Sequence, residues 1–304
     1  MTPITLADDE QITKPGVYRI PIQRYHHDPD LCDGPSISSS GLRAILDCPA
    51  KYWAHSPYNP DRRDPPPKQV FTIGKAAHAI ILEGELPDDE FVISPYDEHR
   101  TKEARKWKAS KEADGLAILK ESDLAEITDM HKALLADPLI PSMFEGEIEC
   151  SLVFQDEETG IWIKNRPDAI PNDDTLGDLK FVADASTAAI WRDVTKYRYH
   201  MQMALGGLAM RKVLGRKIQN YALVFCEKTW PHVTNIAALD SEAIIWGHRQ
   251  NRLAINEFAR RMKDKDWPGY ELGPVTVSLT DFEKKRLKNM GALLPEAEKD
   301  LEDA

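Results

Sequence analysis

Residues 164–180 read KNRPDAIPNDDTLGDLK. Asp168 follows a strand-like run and the pair Arg166-Pro167. A turn cluster comes next, Pro171-Asn172-Asp173-Asp174, and the chain resumes as Thr175-Leu176-Gly177-Asp178-Leu179-Lys180. Stability alone does not call for acid at one inner end of a hairpin and acid plus lysine at the other. If the turn reverses the chain, Asp168 and Asp178 converge at one edge of a sheet. Two carboxylates and water suit Mg²⁺ or Mn²⁺, which prefer oxygen ligands, and the carbonyl of Leu179 is a further candidate ligand. Positions i and i+2 of a strand share a face, so Lys180 stands beside Asp178. Its ammonium could hold or help deprotonate an attacking water and offset charge on a phosphoryl transition state. The pattern points to metal-dependent phosphodiester hydrolysis.

The bulk properties are compatible with that chemistry. The chain of 304 residues is 42% hydrophobic and 29% charged, which is ordinary for a globular protein with a sizeable core. No apolar run approaches the roughly eighteen residues needed to span a bilayer. The N-terminal MTPITLADDEQITKPG has no basic patch followed by an apolar core, so a cytoplasmic location and no membrane partner are expected. Cys32, Cys48, Cys150 and Cys226 lie far apart with no C-x-x-C pair, so reduced thiols are expected and an Fe–S cluster is not. A net charge of −11 argues against nonspecific nucleic-acid binding through bulk electrostatics. A local basic stretch, HRTKEARKWKASK at 99–111, still offers Arg100, Lys102, Arg105, Lys106, Lys108 and Lys111 against a single Glu103. It is either a DNA-facing patch or a solvated helix face.

Along the chain, residues 1–35 are polar and broken by prolines, and an extended arm is expected. The stretch 36–55 opens on serines suited to an N-cap and continues at helical spacing through Leu42, Ile45 and Leu46. A proline-rich break follows at 61–69. FTIGKAAHAIILEGE at 71–85 predicts a second helix, and further helices are expected through residue 137. Residues 147–170 alternate with period two around a turn at 157–160 and predict a hairpin. A third strand is expected at 175–182, and a long helical stretch at 186–215 interrupted by Gly206-Gly207. Strands at 218–228 and 232–239, a helix at 241–265 and a strand-like segment at 275–279 complete the reading. The implied organisation is an arm at 1–35, one α/β domain at 36–280 and a charged tail at 281–304.

The motifs resemble the PD-(D/E)XK nuclease superfamily. Pro167-Asp168 supplies the PD and Asp178-Leu179-Lys180 the D-x-K. GKAAHAIILEG at 74–84 resembles the G-x-x-x-H helix of the RecB-like branch, which implies that His78 is a metal ligand. YRYHMQMAL at 197–205 resembles that branch's Q-x-x-x-Y helix through Gln202. Gly206 stands where the tyrosine is usual, and Tyr199, one turn earlier, is a candidate substitute. The serine-led helix with its C-P segment, the R-T-K stretch, K-x-R-P-D, D-L-K and Y-x-Y-x-x-Q extend the likeness over roughly residues 36–270. The group most resembled is RecE-like, the exonuclease VIII nuclease domain of phages and prophages. This resemblance implies a restriction-endonuclease-like core, with a mixed central sheet flanked by helices and a helical N-terminal elaboration. It further implies a Mg²⁺-dependent exodeoxyribonuclease that degrades linear duplex DNA 5′ to 3′. A RecT-like single-strand annealing partner and a homo-oligomeric ring around DNA are expected with it.

Other residues carry two readings each. Glu149 could bind a second metal or be a strand-edge charge. Arg166 shares a face with Asp168 and could contact the scissile or terminal phosphate, or form a surface salt bridge. Ser38, Ser39 and Ser40 suit a helix cap; Ser38 or Ser40 could also help hold a 5′-phosphate at the helix N-terminus. Trp107 could stack on a base or pack internally. The rival functions are an endonuclease or single-strand nuclease of the same fold, and a catalytically silent DNA-binding module.

Overall fold

The computed structural model describes residues 2–63, 69–270 and 273–290. Near the N-terminus β1 (Ile4–Thr5) and β2 (Gly16–Arg19) pair in parallel, followed by a short helix α1 (Ile22–His27). The expected extended arm is therefore folded. Leu6, Ile12, Tyr18, Ile20, Tyr25 and Leu31 are buried in a small cluster with Val153 and Trp162. Single apolar residues dispersed among polar ones hide this core from a periodicity search, yet together they remove enough apolar surface from water to hold the segment down.

The chain continues through β3 (Ser36–Ser38), α2 (Ser39–Asp47) and α3 (Pro49–Ala54). Much of the proline-rich break at 61–69 lies outside the described residues. Helix α4 (Gln69–His78) runs into a wider π-helical turn, Ala79–Glu83, closed by Gly84 at φ 83°. Such turns commonly sit beside functional residues. Then come β4 (Phe91–Ile93), α5 (Lys102–Ala113), β5 (Ala117–Leu119), α6 (Glu121–Leu135) and α7 (Leu139–Ser142). The expected run of helices through residue 137 thus contains a short strand, β5, paired in parallel with β4.

The chain then folds as β6 (Gly146–Ile148), β7 (Ser151–Gln155), β8 (Trp162–Asn165), β9 (Ala169–Pro171) and β10 (Thr175–Val182). After these come α8 (Thr187–Lys196), α9 (Tyr199–Leu214), β11 (Asn220–Glu227), β12 (Thr234–Ala238) and α10 (Ser241–Asp264). The hairpin β7–β8 and the third strand β10 stand where the sequence predicts them. The strands form a five-stranded mixed sheet, β1-β2-β7-β8-β3, and a three-stranded mixed sheet, β10-β11-β12. The pairs β4–β5 and β6–β9 complete the set. The compact unit covers residues 1–269, including the N-terminal 35. Residues 270–304 form a separate unit, whose described part carries α11 (Asp281–Asn289); the expected strand at 275–279 is not formed, and 291–304 lie outside the described residues. Among the described residues no helix is long and apolar enough to cross a membrane.

The break in the 186–215 helix is not at the glycines. It falls at Arg198, which caps α9 in the left-handed region (φ 53°, ψ 45°). Gly206 and Gly207 continue α9 and let it lie close to the three-stranded sheet. A Cβ at Gly206 would sit 2.6 Å from Leu176, and one at Gly207 2.2 Å from the Tyr221 hydroxyl. Gly247 does the same between α9 and α10, where a Cβ would meet the His200 carbonyl at 2.4 Å.

Strand β10 serves two cores. Leu176 and Val182 pack into the larger cluster with Met201, Ala204, Leu205 and Phe225, whereas Leu179 and Phe181 pack into a second with Ala76, Ala77, Ile127 and Met130. The alternation places Asp178 and Lys180 on the face that meets α9, in register with Leu223 and Phe225 of β11. Because this face depends on the close seating of α9 between β10 and α10, Gly247→Ala is expected to destabilise the protein by about 1–3 kcal/mol, the usual cost of overpacking. Chemical denaturation checks this, and an unchanged midpoint would contradict it.

Candidate active site

The site forms along the outer edge of β10. The strand pairs with β11 on one side only, so the peptide groups on its other side are left over. Both polar groups of Leu179 are used there. Its N–H donates to Asp168 Oδ2 at 2.6 Å, and its carbonyl accepts from His78 Nε2 at 3.0 Å. Asp168 lies just ahead of β9 rather than ending a strand, and this contact brings it opposite Leu179. His78 arrives from the last turn of α4, with Nδ1 3.9 Å from Asp168 Oδ1 and its ring edge-on to Phe181.

Asp178 and Lys180 occupy the adjacent face. Lys180 Nζ is in ion-pair contact with Asp178 Oδ2, lies 3.3 Å from Gln202 Oε1 and sits 4.9 Å above the Tyr199 ring. Gln202 Nε2 donates to Asp178 Oδ1 at 2.6 Å. Tyr199 therefore stands over the lysine, while position 206 has no room for a side chain. Asp178 is almost fully buried, and the Lys180 ammonium is the ion-pair partner of its Oδ2. Burial, followed by the nearby Asp178 carboxylate, raises the Asp168 carboxyl above its ordinary range; His78, Lys180 and the Leu179 N–H pull the other way.

Two crowded carboxylates, one buried and one half-buried, with an imidazole and a backbone carbonyl, make a donor set suited to a hard divalent cation. Among the described residues, no three His, Cys, Asp or Glu side chains already stand in a metal-holding arrangement. Asp178 is instead turned toward Lys180 and Gln202, and Asp168 toward the Leu179 amide. The donor set nonetheless fits a divalent ion: His78, Asp168, Asp178 and the Leu179 carbonyl would hold it.

His78, Leu179 and Lys180 open onto a groove of about 940 Å³, which Glu149 and Arg166 also help to line. Glu149 sits between β6 and β7 at φ 53°, and burial pushes its carboxyl up to about 7 against the pull of Arg166. Arg166 is not a surface charge. Its side chain is 10% exposed, pairs with Glu149 at 3.5 Å, donates to Ser151 Oγ at 2.9 Å and to the Ile20 carbonyl, and lies over the Tyr25 ring.

Other predicted residues stay outside this constellation. Ser38 caps α2 through the Gly41 N–H and bonds to Ser40, and neither serine lines the groove. Arg100 pairs with Glu98, while Lys102, Arg105 and Lys106 are exposed on α5; none of the four lines the groove. Trp107 packs on His99 and Tyr96. The four cysteines are buried free thiols. Sequence reading missed Lys75, Lys228 and Arg19 as groove cations. It also missed Arg43, which reaches Gln202 from α2. Lys75 and Arg43 sit in helices already recognised, but no local spacing ties them to the D-x-K strand.

The description of a PDDEXK-like domain of unknown function (DUF3799) matches residues 38–273. The chain belongs to this family. This DUF3799 chain is similar in fold to a candidate exonuclease from Eubacterium rectale, with 13% identity, a TM-score of 0.55, and coverage of 82% of this chain and 92% of the other. A phage-related exonuclease from Haemophilus somnus, at 12% identity, matches over 76% of this chain and 96% of its own, with a TM-score of 0.30. No curated protein matches the chain. The PDDEXK-like α/β fold expected from the motifs is thereby established.

Two substitutions probe the site. Lys180→Ala is expected to lower DNA-cleavage turnover on the order of a hundredfold or more, the scale of losing one electrostatic stabiliser, while duplex binding changes little; near-normal turnover would remove Lys180 from the chemistry. His78→Ala is expected to weaken Mg²⁺ or Mn²⁺ affinity, measured calorimetrically, more than Gln202→Ala does, because an imidazole is a candidate ligand whereas the Gln202 amide is engaged with Asp178 and Lys180. Equal affinities in wild type and His78→Ala would leave His78 a packing residue.

Proposed function

We propose that this protein is a Mg²⁺- or Mn²⁺-dependent exodeoxyribonuclease acting on linear duplex DNA, 5′ to 3′, in phage-type recombination. The observation that carries the reading is the meeting of Asp168, Asp178, Lys180, His78 and the Leu179 carbonyl around the middle of β10, where His78, Leu179 and Lys180 line a groove. The family match and the exonuclease named among similar folds support the choice of nuclease over a silent binding module.

When bound, the ion supplies Lewis-acid activation of water and of the phosphate. The chain's own residues do the rest. Asp168 and Asp178 present oxygen donors held by the Leu179 N–H and by Gln202. Lys180, fixed between Asp178, Gln202 and the Tyr199 ring, holds the attacking water and offsets charge at the phosphate. Arg166 borders the same groove, and its Nη1, the donor shared with Glu149, is the one best placed to meet a terminal phosphate. A RecT-like annealing partner and a ring of subunits belong to this reading through the RecE-like resemblance.

A 5′ to 3′ exonuclease leaves a new 5′-phosphate after every cut, so a phosphate subsite would meet the same group each cycle. Linear duplex labelled at either end should lose its 5′ label first, only with divalent metal, and more slowly when the 5′ ends carry hydroxyls; covalently closed circles should survive. Linearised circles would establish an endonuclease instead, and equal rates on the two kinds of end would remove the terminal-phosphate subsite.

A further inference from the structure

We propose that Arg43 is a positioning residue of this site, acting through the side-chain amide of Gln202; the inference deepens the nuclease reading and rests on it for its kinetic consequence. Arg43 projects from α2, 159 residues from Gln202 in sequence, and its Nη1 donates to Gln202 Oε1 at 3.2 Å and to the Tyr197 carbonyl at 3.2 Å. Lys180 Nζ approaches the same Oε1 at 3.3 Å, and the opposite end of the amide, Nε2, donates to Asp178 Oδ1 at 2.6 Å.

The chemistry leaves the amide one orientation. An amide oxygen accepts and an amide nitrogen donates. Turning Gln202 over would set its NH₂ against two cations and its oxygen against a carboxylate, losing all three contacts. Arg43 and Lys180 together therefore aim the NH₂ at Asp178. Lys180 alone is a weak guide, because its flexible stem and single ammonium are shared with Asp178 and the Tyr199 ring. The Arg43 guanidinium is planar and has a second anchor on the Tyr197 carbonyl.

That anchor lies at the joint between α8 and α9, where Arg198 adopts the left-handed conformation, pairs with Asp47 of α2 and donates to the Arg43 carbonyl. The side chain of Arg43 thus bridges the first turn of α9, where Gln202 originates, to α2. Its hydrogen bonds reach Asp178 and Lys180 only through the Gln202 amide, beside a direct charge interaction with Asp178.

Three variants of the full chain test this: Arg43→Met, which keeps the apolar stem and removes the donors, Gln202→Leu, and the pair. With an unchanged melting temperature, Arg43→Met should lower turnover on linear duplex roughly tenfold to a hundredfold, the scale of displacing a reacting group by about 1 Å, with little change in KM. The double variant should be no slower than Gln202→Leu, and Arg43→Lys should recover part of the loss. Undiminished turnover in Arg43→Met, or losses that multiply in the double variant, would overturn the proposal. A second readout does not need activity. The Gln202 side-chain NH₂ resonance, assigned by its disappearance in Gln202→Leu, should be protected from exchange in the wild type and lose protection in Arg43→Met. If Arg43→Met does not fold, Arg43→Lys is compared in its place, with partial loss of protection expected and full protection overturning the proposal. A wild type that cuts no DNA would sink the nuclease reading alone, and the exchange measurement would still decide the role of Arg43.

Discussion

The peptide group of Leu179 on the open edge of β10 is the contact on which the rest of the site depends. An edge strand leaves every second N–H and C=O without a ladder partner, and such groups normally invite another strand. Here the N–H is occupied by the Asp168 carboxylate and the C=O by the His78 imidazole. One peptide thereby locates the segment ahead of β9 and the last turn of α4, which are 90 residues apart in the chain. The use of backbone atoms explains why the middle residue of D-x-K can be an ordinary leucine. Its side chain is committed to the core containing Ile127 and Met130, and only its main chain faces the site.

The period of the strand supplies the rest. Residues on one face of β10 build the larger core, except at Asp178 and Lys180, which face α9 and take polar partners from it. Such groups are costly to bury unless each is satisfied. Gln202 and Tyr199 supply contacts at both ends of the pair, and close seating of α9 through Gly206, Gly207 and Gly247 brings them within reach. Burial, and then the nearby Asp178 carboxylate, raise the Asp168 carboxyl, and Lys180 and His78 only partly offset them. A site of this kind gains from a cation between its acids, and the same gain makes it suitable for holding a phosphate diester near an activated water.

The groove adds a second layer. Its walls come from β1, β2 and α1 as well as from α4 and β10. The N-terminal segment is therefore part of the surface that a substrate would meet. Buried Arg166 ties it to the rest by donating to the Ile20 carbonyl and by packing on Tyr25.

By itself the sequence determined what local spacing can encode. The β7–β8 hairpin, β10, β11, α10 and the shared face of Asp178 and Lys180 follow from period-two and period-3.6 patterns, and each stands where those patterns place it. The acids, the lysine and His78 could be named because their residue types and order resemble a known chemistry. Tertiary structure alone decided how the pieces meet. The N-terminal strands were invisible because their apolar residues are scattered and are buried only against Val153 and Trp162. The position of the α8–α9 break was misread because Gly206-Gly207 reads locally as an interruption, whereas close contact with Leu176 and Tyr221 is what those glycines allow. The serine-led cap of α2 is legible in the sequence, and Ser38 supplies it through the Gly41 N–H. Arg43 had no signal at all, because its role depends on a contact across 159 residues that only the packing of α2 against α9 creates.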